Sequence, residues 1–198
     1  MSDAKEVSSP LIMIVSAPSG SGKTTIVEKV LDKVNGLKRS ISYTTRAPRE
    51  GEKEGADYMF ISREVFMEKV ASGEFLEWEE NFDNCYGTSA EQVKEAVGKG
   101  DDIILSIDVK GARKVRERFP ESVSVFIMPP SAEELKERLV KRAADEKSNM
   151  QLRLQEADRE MSAADEYDYI IVNEDLERAV DELCHIIEVE RKNRKREG

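Results

Sequence analysis

Histidine, cysteine and long apolar runs are all scarce in this sequence. His185 stands alone, which excludes a histidine-based catalytic triad and a structural zinc site. Cys85 and Cys184 lie far apart and form no Cys-x-x-Cys pair, so no disulfide framework is expected. The apolar run from Leu11 to Val15 is far too short to span a bilayer or to form a signal-peptide core, which points to the cytosol and to no membrane partner. Excess positive charge is missing as well. The 31 basic and 41 acidic residues leave a net charge of −10, which argues against nucleic acid as a partner. No obligate protein partner is implied.

The sequence does hold 198 residues, enough for one domain with a real core, and a heavily ionised surface at 36% charged residues. Continuous apolar segments at Leu11–Val15, Asp102–Ile107 and Val123–Met128 predict strands buried on both faces. Tyr58–Ile61, Phe75–Trp78 and Tyr169–Val172 predict shorter ones. Between them, helical spacing runs from Thr24 to Val34, Arg63 to Ser72, Ser89 to Gly98 and Gly111 to Phe119. Ser89-x-x-Gln92 and Ser131-x-x-Glu134 are capping-box signals, the second opening a long charged helical region. A last helix carries Leu176, Ala179, Val180, Leu183 and Ile187 on one face, and its basic end, Arg191 to Arg196, reads as solvated and fraying. Strands alternating with helices predict an α/β fold with a parallel sheet flanked by helices. Residues about 40–89 interrupt that rhythm as a small, partly β insertion, and about 138–164 form a candidate helical lid within a single domain over 1–198.

Directly after the first strand stands Ala17-Pro18-Ser19-Gly20-Ser21-Gly22-Lys23-Thr24, then Thr25. This matches the phosphate-loop pattern at every fixed position but the first, where Ala17 replaces glycine. Such glycines let backbone N–H groups turn inward around a polyphosphate, and the following helix adds the positive end of its dipole. Lys23 would reach the terminal phosphates, and Thr24 would ligate Mg²⁺. The dinucleotide fingerprint fails because Gly20-x-Gly22 continues to Thr25 where a third glycine is needed. Asp108-x-x-Gly111 mimics a GTPase element, but no Asn-Lys-x-Asp follows it.

Arg46 and Arg49 bracket a proline-fixed turn, so that two guanidinium forks can converge on one phosphate, with Tyr58 and Tyr86 as hydroxyl donors. This segment resembles the signature of guanylate kinases nearly residue for residue. The resemblance extends from about Leu11 to Ile187, through Thr44-Thr45-Arg46, Asp57-Tyr58, Phe75-Leu76-Glu77-Trp78, Tyr86-Gly87-Thr88, Ile107-Asp108 and Ile171-Val172-Asn173. It implies a P-loop kinase core with a small GMP-binding insertion and a helical lid. By resemblance, Arg46, Arg49, Tyr58 and Tyr86 hold the GMP phosphate, while Ser42, Glu77, Thr88 and Asp108 face the guanine. A carboxylate suits that base because guanine presents N1–H and an exocyclic amine as adjacent donors, and an ionised carboxyl only accepts.

The resemblance further implies that Arg138, Arg142 and Arg153 close over the ATP phosphates, with Arg142 and Arg153 catalytic beside Lys23, and that Asn173 lies near the adenine. ATP and GMP are the implied substrates and Mg²⁺ the implied cofactor. Ser106, Lys110 and Ala143 depart from the family pattern, Ala143 at a lid position that usually holds glycine. Two other readings stay open: a guanylate-kinase-like protein-interaction module without catalysis, and a kinase for another nucleoside monophosphate.

Overall fold

The computed structural model describes residues 9–81, 83–143 and 150–197, with side chains of 139, 141–143, 150 and 196–197 left aside. In chain order the elements are β1 (Ile12–Ser16), α1 (Lys23–Lys33), β2 (Leu37–Arg39), β3 (Tyr43–Thr44), β4 (Met59–Phe60) and α2 (Arg63–Ala71). There follow β5 (Phe75–Asn81), β6 (Asn84–Ser89), α3 (Ala90–Lys99), β7 (Asp102–Ser106), α4 (Val109–Arg118) and β8 (Val123–Met128). The chain continues through α5 (Ala132–Ala143), α6 (Met150–Met161), a 3₁₀ turn (Ala164–Glu166), β9 (Tyr169–Val172) and α7 (Leu176–Glu197). Residues 1–8, and residues 144–149 within the candidate lid, lie outside the described residues.

The apolar runs become a five-stranded sheet in the order β2-β7-β1-β8-β9, and each neighbouring pair is parallel. Both faces are covered, as continuous apolar strands require. Met13 and Val15 pack with Ile26, Val30, Val180 and Leu183 of α1 and α7. Ile12 and Ile14 point the other way, into Val93, Ala112 and Val115 of α3 and α4.

The insertion is a second sheet, in the order β4-β3-β6-β5, with β6 antiparallel to both neighbours. Neither β2 nor β6 is legible from periodicity. β2 is three residues at a sheet edge, and β6 (Asn-Cys-Tyr-Gly-Thr-Ser) has little apolar alternation. Gly87 is needed there because a Cβ would come within 2.9 Å of the Phe75 ring, which stacks on Phe66 at 4.6 Å between centroids.

Local signals held where a side chain could satisfy an N-terminal N–H. Ser89 Oγ accepts from Gln92 N at 3.3 Å, as the capping box expects. The Gln92 side chain does not complete the box. It pairs both backbone groups of Ile41, at 2.8 and 3.0 Å, and so pins the insertion to α3. α4 begins at Val109, earlier than Gly111, because the Asp108 carboxylate caps it by accepting from Gly111 N at 2.8 Å.

The basic end of α7 departs from the expected solvated tail. Arg191 Nε donates to Asp102 Oδ2 at 2.6 Å and its Nη2 to the Asn35 carbonyl at 3.0 Å. Asp102 Oδ1 in turn accepts from Leu11 N at 2.6 Å, and Arg194 donates to the Glu121 carbonyl. Arg191 therefore ties α7 to the entries of β1 and β7, and Arg194 ties it to the chain just before β8. Asp102→Ala leaves the Leu11 N–H and the Arg191 guanidinium without their acceptor, which should cost about 1–3 kcal/mol. Urea unfolding should show a lower midpoint at an unchanged slope, while the folded variant keeps its turnover.

Candidate active site

The chain from β1 into α1 builds an anion cradle from backbone. Gly20 and Gly22 adopt φ of 91° and 87°, conformations that favour glycine, whereas Ala17 has no such backbone and fits as alanine. Gly22 caps α1 without a side chain, so the first N–H groups of the helix are left for a ligand. Behind the loop, Asn173 Nδ2 donates to the Ser21 carbonyl at 2.8 Å. A Cβ on Gly22 would lie 2.6 Å from that same amide nitrogen. Lys23 donates to the Ile107 carbonyl at 3.0 Å. Burial lowers its pKa, against the opposing pull of Glu160 and Asp108.

A cleft of about 540 Å³ joins this loop to the small sheet and to the lid helices. At its far end Arg46 is held in a fork, with Nη2 lying 2.8 and 3.0 Å from the two oxygens of Glu52. The guanidinium also lies over Tyr58, 5.6 Å from the ring centroid, and Tyr58 meets Tyr86 edge to face. Glu52 further accepts from Arg49 N at 2.7 Å, so one carboxylate shapes the turn that carries both arginines.

Nearer the loop stands Glu77, 7% exposed, with the Thr88 hydroxyl donating to it at 2.5 Å. It packs on the first turn of α4, where a Cβ at Gly111 would lie 2.7 Å from Glu77 Oε2. Burial first, then the neighbouring Asp108, push the Glu77 carboxyl up to about 7, although the Thr88 hydrogen bond opposes this. Glu160, at the end of α6, is also raised to about 7 by burial, with Lys23 pulling it back.

Most of the residues singled out from sequence meet in this cleft: the loop with Lys23, Thr24 and Thr25, the arginine–tyrosine group, and Ser42, Glu77 and Asp108. Arg138 and Arg153 enter from the lid, and Arg138 is paired to Glu134 at 3.0 Å one turn away. Ser21, Thr88 and Asn173 stand behind the walls. Each is buried: the Thr88 hydroxyl holds Glu77, and the Asn173 amide holds the loop at the Ser21 carbonyl. Arg142 lies in the last turn of α5, with its side chain outside the described residues. Sequence reasoning missed Glu52, Glu160 and Gly111. Glu52 and Gly111 sit within the matching segments, but Glu160 is one acid among many on a charged helix.

The guanylate kinase family model matches residues 9–190. The chain belongs to the guanylate kinase family. It is 48% identical to a guanylate kinase of Alcanivorax borkumensis over 180 residues, 91% of this chain and 87% of the relative. Identity to the guanylate kinase of Neisseria meningitidis serogroup A is 46% over 186 residues, 94% and 91% of the two chains. The crystal structure of guanylate kinase from Anaplasma phagocytophilum superposes with a TM-score of 0.78 at 40% identity, covering 92% of this chain and 87% of that one. The P-loop kinase core, the parallel sheet and the family expected from the motifs are thereby established.

The raised carboxyl of Glu77 has a consequence for stability. Its folded value of about 7 lies above the ordinary 4.5, so the fold binds that proton more tightly than the unfolded chain. The associated stability is present below the ordinary value and is lost as pH rises through about 7. Glu77→Gln removes an ionised, desolvated group, so its thermal midpoint at about pH 8 should exceed that of the parent chain. The gain should shrink toward about pH 5; differential scanning calorimetry at both values checks this.

Proposed function

We propose that this guanylate kinase family member transfers the γ-phosphoryl of ATP to GMP, giving ADP and GDP in guanine nucleotide recycling. The observation that carries the reading is that one cleft joins the Lys23 phosphate loop to a buried carboxylate, Glu77, flanked by Thr88 and Asp108. In the reaction a GMP phosphate oxygen forms the new bond to the γ-phosphorus while the bond to the ADP oxygen breaks. The chain holds the two substrates in line and offsets the charge that spreads over the phosphoryl oxygens. Lys23 and the lid arginines Arg138, Arg142 and Arg153 meet the transferring group. Arg46, Arg49, Tyr58 and Tyr86 hold the GMP phosphate, and Glu77, Ser42 and Asp108 take the base. Asn173 serves the ATP side by holding the loop.

Thr24 presents an exposed hydroxyl in the first turn of α1 beside Lys23. Such a hard oxygen donor fits Mg²⁺, which keeps several waters and takes few protein ligands beside phosphate oxygens. When bound, the ion would neutralise phosphate charge. We read residues 1–198 as one domain with the GMP region at about 40–89 and the lid at about 138–164. The heavily ionised surface supports a cytosolic location, with ATP and GMP as partners and neither nucleic acid nor membrane.

Coupled measurement of ADP release against GMP, IMP, AMP, CMP and UMP should show GMP-selective turnover. Lys23→Met should lose it by about a hundredfold or more while keeping a normal melt. A binding module without catalysis would give no turnover with any acceptor. Preference for another monophosphate would overturn the base assignment.

Glu77→Gln places an amide donor where guanine also donates, and a donor left unpaired costs about 1–3 kcal/mol. kcat/KM for GMP should fall at least about tenfold, equivalent to roughly 1.4 kcal/mol. Activity with AMP or IMP should change less, since neither presents the guanine amine. Steady-state kinetics on the three acceptors decide it, and an unchanged GMP preference would return Glu77 to a structural role.

A further inference from the structure

β5 brings two acids to the cleft. Glu77 and Glu79, two residues apart on one face, both line it. A second carboxylate so close favours protonation of Glu77. Glu79 is met by α4: Lys114 Nζ lies 2.5 Å from Glu79 Oε1 and donates to the Trp78 carbonyl at 2.9 Å. One ammonium therefore grips the strand at two points next to Glu77. The groups facing Glu77 are the Thr88 hydroxyl from β6, Asp108 and Lys114 from α4, Glu79 on its own strand and Lys23 from the phosphate loop.

We propose that Lys114 is a positioning residue for base selection, which neutralises Glu79 and holds β5 so that Glu77 is left to the base. The inference rests on the reading of Glu77 as the group that takes the guanine donors. Lys114 and Glu79 side chains are 47% and 21% exposed, and such pairs contribute only about 0–1 kcal/mol to stability. The effect on a buried neighbour is less screened by salt. Without Lys114 the Glu77 carboxyl rises further above its ordinary range, and a protonated oxygen then faces the guanine N–H groups as a donor. Any further rise thins the ionised form of Glu77 near neutral pH.

The test is kcat/KM for GMP from about pH 6 to about pH 9 in the full chain, for the parent, Lys114→Met, Lys114→Arg and Lys114→Met/Glu79→Gln. Lys114→Met should lose several-fold near neutral pH, with its acid limb displaced to higher pH and with KM for ATP and the melt unchanged. Lys114→Arg should keep the parent profile, and the added Glu79→Gln should move the limb back. An acid limb that stays in place in Lys114→Met overturns the proposal, as does a double variant as impaired as the single. Glu77→Gln separates the two levels of the argument. Loss of the limb in that variant, with Lys114→Met unshifted, removes the role of Lys114 alone. Full GMP activity in Glu77→Gln removes the base reading and the proposal with it.

Discussion

Asp108 accepts the Gly111 N–H, and this single capping bond sets where α4 begins after β7. The position of that first turn decides the Glu77 end of the cleft. Gly111 leaves the space into which the Glu77 carboxylate packs, and the next turn carries Lys114 to Glu79 and the Trp78 carbonyl of the same strand. A helix starting one residue later would rotate both away from β5, since each residue turns the helix by about 100°. The geometry of a site on one sheet thus depends on the cap of a helix that belongs to the other.

Charge in the cleft is arranged in opposition. Lys23 is surrounded by Glu160, Asp108 and Glu77, which resist the loss of its proton that burial favours. The same burial holds Glu77 and Glu160 near 7, so the fold carries two carboxyls that are expensive to ionise. At the other end Arg46 is preorganised by Glu52 and by two aromatic rings, so little rotamer freedom remains to be lost on binding a phosphate. In the proposed binding mode cations meet the phosphate and acids meet the base, as a purine monophosphate with donor edges requires.

These strained choices are supported by ordinary packing elsewhere. A five-stranded parallel sheet, with β7, β1 and β8 buried on both faces, holds the loop after β1 and the cap after β7 side by side. Ligands gather at the carboxyl ends of such strands because helix N-termini and loop backbone converge there. The α5–α6 pair meets through Leu135 and Ala157, a much smaller apolar contact than the main core. An element attached by few apolar contacts can change position at low cost, which suits a lid.

The central strands, the phosphate loop and the family were legible in the sequence because each rests on local chemistry: apolar continuity, glycine conformations, and residues adjacent in the chain. The arginine turn at Arg46 and Arg49 was legible for the same reason. What remained hidden depends on pairing across distance. β6 is a strand because its backbone bonds to β3 and β5, although its residues have no strand pattern. Gln92 spends its amide on Ile41 and leaves its capping box half made, and Arg191 reaches Asp102 instead of solvent. Asn173 and Thr88 hold the walls of the cleft from behind, and Glu160 enters it from the end of a charged helix. Composition and spacing determine which chemistry the chain can perform. Only the tertiary structure decides which acids are buried and which cations meet them, because desolvation and ion pairing act through space and leave no period in the sequence.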